Sequence, residues 1–101
     1  MLVEQSGPHG HPVLRQRFAG AGTECLVGRD LDCDIVLDDE HSAPRHARLT
    51  LLEDGRVRVQ DLGTRNGTRV DGRRIPADDG VVLERGEIIV GRTRLHIRTR
   101  H

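Results

Sequence analysis

The sequence predicts an all-β domain, an antiparallel β-sandwich of short strands. Apolar residues alternate with polar ones over stretches of four to six positions, the period of a half-buried strand. Gly-containing turn signals separate those stretches at short intervals. No segment holds a 3.6-residue period over helix length. At 101 residues the chain has room for one such domain and no second core.

The elements follow in chain order. Residues 1–11 are polar and rich in Gly and His, and read as a flexible leader; residues 12–101 form the domain. Pro12 to Phe18 reads as a first strand, with Val13, Arg15 and Arg17 alternating against Leu14, Gln16 and Phe18. Ala19-Gly20-Ala21-Gly22 is a turn. Cys25 and Val27 alternate with Glu24 and Leu26 up to Gly28, and Cys33, Ile35 and Leu37 with Asp34, Val36 and Asp38. Ala47, Leu49 and Leu51 form the next set. Glu53-Asp54-Gly55 closes a hairpin onto Val57 and Val59, which run to Asp61. Val70 to Ile75 is a second hairpin, tipped by Asp71-Gly72. Val81 and Leu83, Ile88 and Val90, then Thr93, Leu95 and Ile97 complete the strands. Outward-facing strand positions show no apolar patch that would announce an oligomer.

Composition excludes several functions. Phe18 is the sole aromatic, so the core is aliphatic and there is no stacking platform for single-stranded nucleic acid. Sixteen basic residues balance sixteen acidic ones, which gives no broad field toward nucleic acid or membrane. Every basic residue is arginine. Without lysine there is neither a nucleotide-hydrolase phosphate loop nor a Schiff base. Arginine instead suits bidentate capture of phosphate or carboxylate. Cys25 and Cys33 have neither metal-site nor redox-motif spacing and fall in phase with buried positions. Reduced core thiols of a cytoplasmic protein are the expectation. The first eleven residues hold no apolar signal-peptide core, and no stretch is long enough to span a membrane.

The loops carry the chemistry. Val27-Gly28-Arg29, Arg45-His46-Ala47-Arg48-Leu49 and Asp61-Leu62-Gly63-Thr64-Arg65-Asn66-Gly67-Thr68, followed by Val70-Asp71-Gly72, occur in an order and spacing that resemble the forkhead-associated (FHA) domain. Cys33 to Asp38, Gly86-Glu87-Ile88 and Val90-Gly91 fit as well, so the resemblance covers roughly residues 12–99. It implies an FHA/SMAD-like sandwich that binds phosphothreonine on a substrate of a Ser/Thr kinase, with no enzyme activity, metal or cofactor. Arg29 resembles the family's phosphate-contacting arginine, whose fork can hold two oxygens of a group carrying about −1.5 to −2 charges. Its bland alternative is a surface pair with Asp30 or Asp32, worth little. Asn66 resembles the asparagine that holds the ligand main chain, and Asn-Gly also closes tight turns unaided. Arg65 stands where the family commonly has a small hydroxyl residue. It either adds a phosphate contact or crowds the pocket, while Thr64 keeps a hydroxyl nearby. Gly28, Gly63 and Gly67 are loop-structural positions, and His46 resembles the histidine that braces the loops.

The sequence departs from the family pattern at 42–46. The family's phosphate-donating serine sits three residues before the histidine, where this chain has Ala43. Ser42 is one residue early, and Pro44 restricts Ala43 to extended backbone. A loop adjustment returns Ser42 to the phosphate, or one charge-assisted bond of about 1.5–3 kcal/mol is lost. Arg45 is a compensating candidate. The alternative reading is a degenerate FHA-fold scaffold for an unphosphorylated partner. A hydrolase built on Ser42, His46 and Asp61 is a remote third, since no Gly-x-Ser-x-Gly elbow supports it. Asp30, Asp32 and Asp34 lack the glycine and glutamate of a calcium loop. Asp38-Asp39-Glu40 reads as a solvated turn that discourages acidic ligands. His9 and His11 make a poor metal site.

Overall fold

Eleven strands build two facing sheets in a computed structural model that describes residues 1–7, 14–77 and 79–99. They are β1 (Leu2–Ser6), β2 (Leu14–Arg17), β3 (Glu24–Gly28), β4 (Ile35–Val36), β5 (Ala47–Leu51) and β6 (Val57–Asp61). β7 (Thr68–Val70), β8 (Arg73–Arg74), β9 (Val81–Leu83), β10 (Arg85–Val90) and β11 (Thr93–Arg98) follow. One sheet runs β2-β1-β11-β10-β7-β8 and the other β4-β3-β5-β6-β9. Every pairing is antiparallel except β3 with β4, which run parallel over Val27↔Ile35 and Gly28↔Val36. The expected sandwich stands, with that one short parallel edge added.

Alternation places the core as the sequence pattern requires. Cys25 and Val27, Leu49 and Leu51, and Val57 and Val59 face inward from one sheet. Val3, Ile88 and Val90, and Leu95 and Ile97 face inward from the other. Both cysteines are buried free thiols. Burial, then the nearby Asp34 charge, pushes the Cys25 thiol up to about 11. The Asp-Gly turns form as read: Asp71 and Gly72 both take positive φ, at 49° and 85°.

Two expectations are corrected. Residues 2–6 are not a leader: β1 lies between β2 and β11, with Val3 1% exposed and Leu2↔Arg98 to Ser6↔Arg94 in register. Ladder hydrogen bonds on both sides and the burial of Val3 hold this polar-looking stretch in place. Residues 8–11 of that reading, and Pro12 and Val13 of the first strand, lie outside the described residues. The strand expected over 33–38 shortens to Ile35–Val36. A turn from Cys33 N–H to Asp30 C=O (3.1 Å) and the Asp34 carboxylate accepting Leu26 N–H (2.8 Å) take residues 30–34 out of the ladder.

Register gathers the loops. Val27 pairs with Ala47, and Ala47 with Asp61, so loops 29–34, 37–46 and 62–67 leave the sheet at the same end. Val90 pairs with Thr68 in the facing sheet and brings the Gly91-Arg92 turn beside them.

Candidate functional site

The loop beginning at Gly28 is laid directly on the loop ending at Ala47. Arg29 N–H donates to Ala43 C=O (3.2 Å), Asp30 N–H to Pro44 C=O (3.1 Å) and His46 N–H to Val27 C=O (2.8 Å). A Cβ on Gly28 would overlap the Pro44 carbonyl, so glycine is required for this close approach.

His46 is 0% exposed and joins three segments. Its Nδ1 accepts from Ala43 N–H (2.9 Å) and is therefore unprotonated. The ring proton then sits on Nε2, which donates to Gly67 C=O (2.7 Å). Gly67, at φ 75°, turns that carbonyl into the interior. Asp61 braces the same turn: it accepts Gly63 N–H (3.0 Å), Thr64 N–H (2.9 Å), the Thr64 hydroxyl (2.7 Å) and the Thr68 hydroxyl (2.8 Å). Burial works against its charge, but those bonds hold its carboxyl below the usual carboxylate range.

Asp39 contradicts the reading of 38–40 as a solvated turn, because it is 2% exposed. Its carboxylate accepts His41 N–H (2.9 Å), Arg92 N–H (2.7 Å) and the Thr93 hydroxyl (2.7 Å). Burial again opposes the charge, and the Thr93, Arg92 and His41 bonds lower its pKa despite that. Asp39 thus ties the loop carrying Ser42 to the facing sheet. The sequence reading missed Asp39 and Asp61 as braces. Asp61-Leu62-Gly63-Thr64 carries a local Asx-turn signal; Asp39 carries none, since two of its partners lie 53 and 54 positions away.

Between the loops is an open cleft of about 260 Å³. Arg29, Glu40, Ser42, Ala43, Thr64, Arg65 and Asn66 line it. Arg29 is exposed, and its Nε donates to Ser42 C=O (2.6 Å). That fixes the guanidinium at the cleft while its terminal nitrogens make no ion pair among the described residues. Arg65 is exposed and likewise free of ion pairs among them. The Asn66 amide nitrogen donates to His41 C=O (2.9 Å) across the cleft, leaving its oxygen available. Thr64 lies deeper: its hydroxyl accepts Gly67 N–H (3.0 Å) besides donating to Asp61.

Two candidates sit differently. The Ser42 hydroxyl donates to Asp39 C=O (2.7 Å), and the residue is 3% exposed. Arg45 is outside the cleft lining. It pairs with Asp32 (3.1 Å) and Asp30 (3.7 Å), two acids on the loop that follows Arg29. Ser42 and His46 have separate partners and share no hydrogen bond, so the nucleophile–base contact of a hydrolytic triad is missing. Among the described residues no group of acidic, His or Cys side chains is placed to hold a metal. Among the described residues no helix is long and apolar enough to cross a membrane.

Comparison with known proteins agrees with this geometry. The chain is 37% identical over 95 residues to the glycogen accumulation regulator GarA of Mycolicibacterium smegmatis, covering 94% of this chain and 56% of GarA. It spans 46% to 62% of the length of the first such relatives. The fold is similar to the FHA domain of CT664 from Chlamydia trachomatis, with TM-score 0.77, 27% identity and coverage of 94% and 92% of the two chains. It is also similar to the N-terminal FHA domain of S. cerevisiae Rad53p, solved with a phosphothreonine peptide, with TM-score 0.78, 21% identity and coverage of 99% and 94%. The family model for the FHA domain matches residues 25–90, a span that runs from β3 to the end of β10. With the sandwich, the braced histidine and the loop order in agreement, this chain belongs to the FHA domain family.

Proposed function

We propose that this chain is a cytoplasmic, non-catalytic reader of phosphothreonine on a protein partner, a substrate of a Ser/Thr kinase. The observation that carries the reading is Arg29. Its Nε is anchored on the Ser42 carbonyl, its terminal nitrogens make no ion pair among the described residues, and the neighbouring Asp30 and Asp32 are held by Arg45. A guanidinium held this way has lost little freedom and offers its remaining N–H groups to a dianion. Arg65 supplies a second positive charge at the same cleft. Asn66 offers its amide oxygen to a peptide N–H. Thr64 and His46 hold the loop rather than the ligand.

Ser42 contributes its backbone carbonyl to Arg29 rather than a hydroxyl to the phosphate. This observation favours the second reading, a phosphate-independent scaffold, because one donor is withdrawn from the cleft. Arg65 in a position exposed at the cleft offsets that loss and keeps the phosphate reading ahead.

The test is fluorescence anisotropy with a degenerate phosphothreonine peptide pool, the same pool unphosphorylated, and Arg29→Ala. Phosphate-dependent binding that Arg29→Ala weakens by one to two decades is expected, from loss of a charge-assisted bond of about 1.5–3 kcal/mol. Equal binding of both pools would establish the scaffold instead.

A further inference from the structure

The candidate cleft continues into a second one. His41 and Asn66 line both, and the second, of about 270 Å³, adds Arg69, Arg92, Gly91 and Ile89. Its floor is the outer face of the six-stranded sheet. Register sets one row of side chains across that face: Arg94 beside Ile89, Ile89 beside Arg69, and Arg69 beside Arg74. Arg69, Arg74, Arg92 and Arg94 are exposed and none has an ion pair among the described residues. The row starts where the phosphate cleft ends.

We propose that this row docks an acidic stretch of the same phosphothreonine-bearing segment, so that the ligand is a phosphopeptide flanked by carboxylates. The inference rests on the phosphothreonine reading and narrows its ligand class. Strands lie about 4.8 Å apart, so Arg94 and Arg69, two strands apart, are on the order of 10 Å apart. A peptide in the polyproline II conformation rises about 3.1 Å per residue with three residues per turn, so side chains three positions apart share one face at about 9 Å, close to that spacing. Two acidic residues at i and i+3 therefore match the two guanidiniums, with Ile89 beneath the residues between. A nucleic acid fits less well. The neighbouring row is Glu4, His96 and Glu87, with His96 3.4 Å from Glu87. Two residues along each strand place it about 7 Å away, within a Debye length at physiological salt. A duplex would lay phosphates against those carboxylates, whereas a single extended strand stays on the arginine row.

The experiment is a two-by-two cycle by anisotropy at 0.15 M salt. Phosphothreonine peptides carry either two Glu at i and i+3 or two Gln there, on the N-terminal or the C-terminal side. The protein is the whole chain or its Arg69→Gln/Arg94→Gln variant. In the unaltered chain, Glu flanks on one side are expected to tighten binding about fivefold over Gln flanks, as two exposed charge pairs allow. The ratio is expected to fall below twofold in the variant, with phosphate dependence retained on the Gln-flanked peptide. Phosphate-dependent binding with no flank preference on either side, or a preference that survives in the variant, overturns the inference. A 20-base-pair duplex that competes as well as the Glu-flanked peptide also overturns it, in favour of nucleic acid. Equal binding of threonine and phosphothreonine peptides overturns the underlying reading, an outcome distinct from the others.

Discussion

Asp39→Asn is expected to destabilise the fold far more than any exposed acid-to-amide change, although it alters one atom. The side chain is 2% exposed and takes three hydrogen bonds. Asparagine has one acceptor atom where the carboxylate has two. The Thr93 hydroxyl can reverse its role, but the N–H groups of His41 and Arg92 cannot, so one of them is left facing an amide donor. An orphaned buried donor costs about 1–3 kcal/mol. The surviving bonds also lose charge assistance, which roughly halves their strength. Relief of burying a charge offsets part of this. The lowered pKa of Asp39 shows that the bonds outweigh that burial cost, because the charged form is favoured in the folded state. The sum is a loss of about 2–4 kcal/mol, a large part of the roughly 5–15 kcal/mol typical of a domain. Urea unfolding followed by circular dichroism measures it, with Glu53→Gln, at an exposed turn position, as the control expected to stay within about 0.5 kcal/mol. Thermal unfolding is expected to drop by more than about 10 °C. If Asp39→Asn matched the control, Asp39 would not be pinning the loop to the Gly91-Arg92 turn.

Other expectations follow from the same contacts. Asp39 and Asp61 have folded pKa values below their unfolded ones, so their stabilisation is complete above about pH 4 and is lost as pH falls through the folded values. Urea midpoints measured down to pH 2.5 should fall steeply, and less steeply in Asp61→Asn. Gly28→Ala is expected to cost about 1–3 kcal/mol by forcing the Pro44 backbone outward, readable in the same unfolding assay. The Cys25 thiol, raised to about 11 and buried, should react with a thiol reagent at pH 8 only at the rate of global unfolding. Rapid labelling of the native protein would contradict that burial.

The sequence made legible what depends on local pattern. Alternation at Cys25 and Val27 and at Ala47, Leu49 and Leu51 located core strands because inward positions there are uniformly apolar. β1 escaped because its inward positions are Val3 and Gln5, too short and too polar a signal, and its place is set by pairing with residues some ninety positions on. Loop membership at the site was readable from Gly28, Arg29 and Asn66. The use of each polar atom was not: Ser42 turns its hydroxyl to Asp39, and Arg45 takes Asp30 and Asp32, because side-chain pairing depends on which loops the topology brings together.

The most direct test of the phosphothreonine reading is a two-dimensional amide NMR titration of the isotopically labelled chain with a phosphothreonine peptide. The largest shifts are expected at Gly28, Arg29, His41, Ser42, Ala43, Arg65 and Asn66, with little change for the unphosphorylated peptide. Shifts confined to another face, or equal shifts with both peptides, would contradict it.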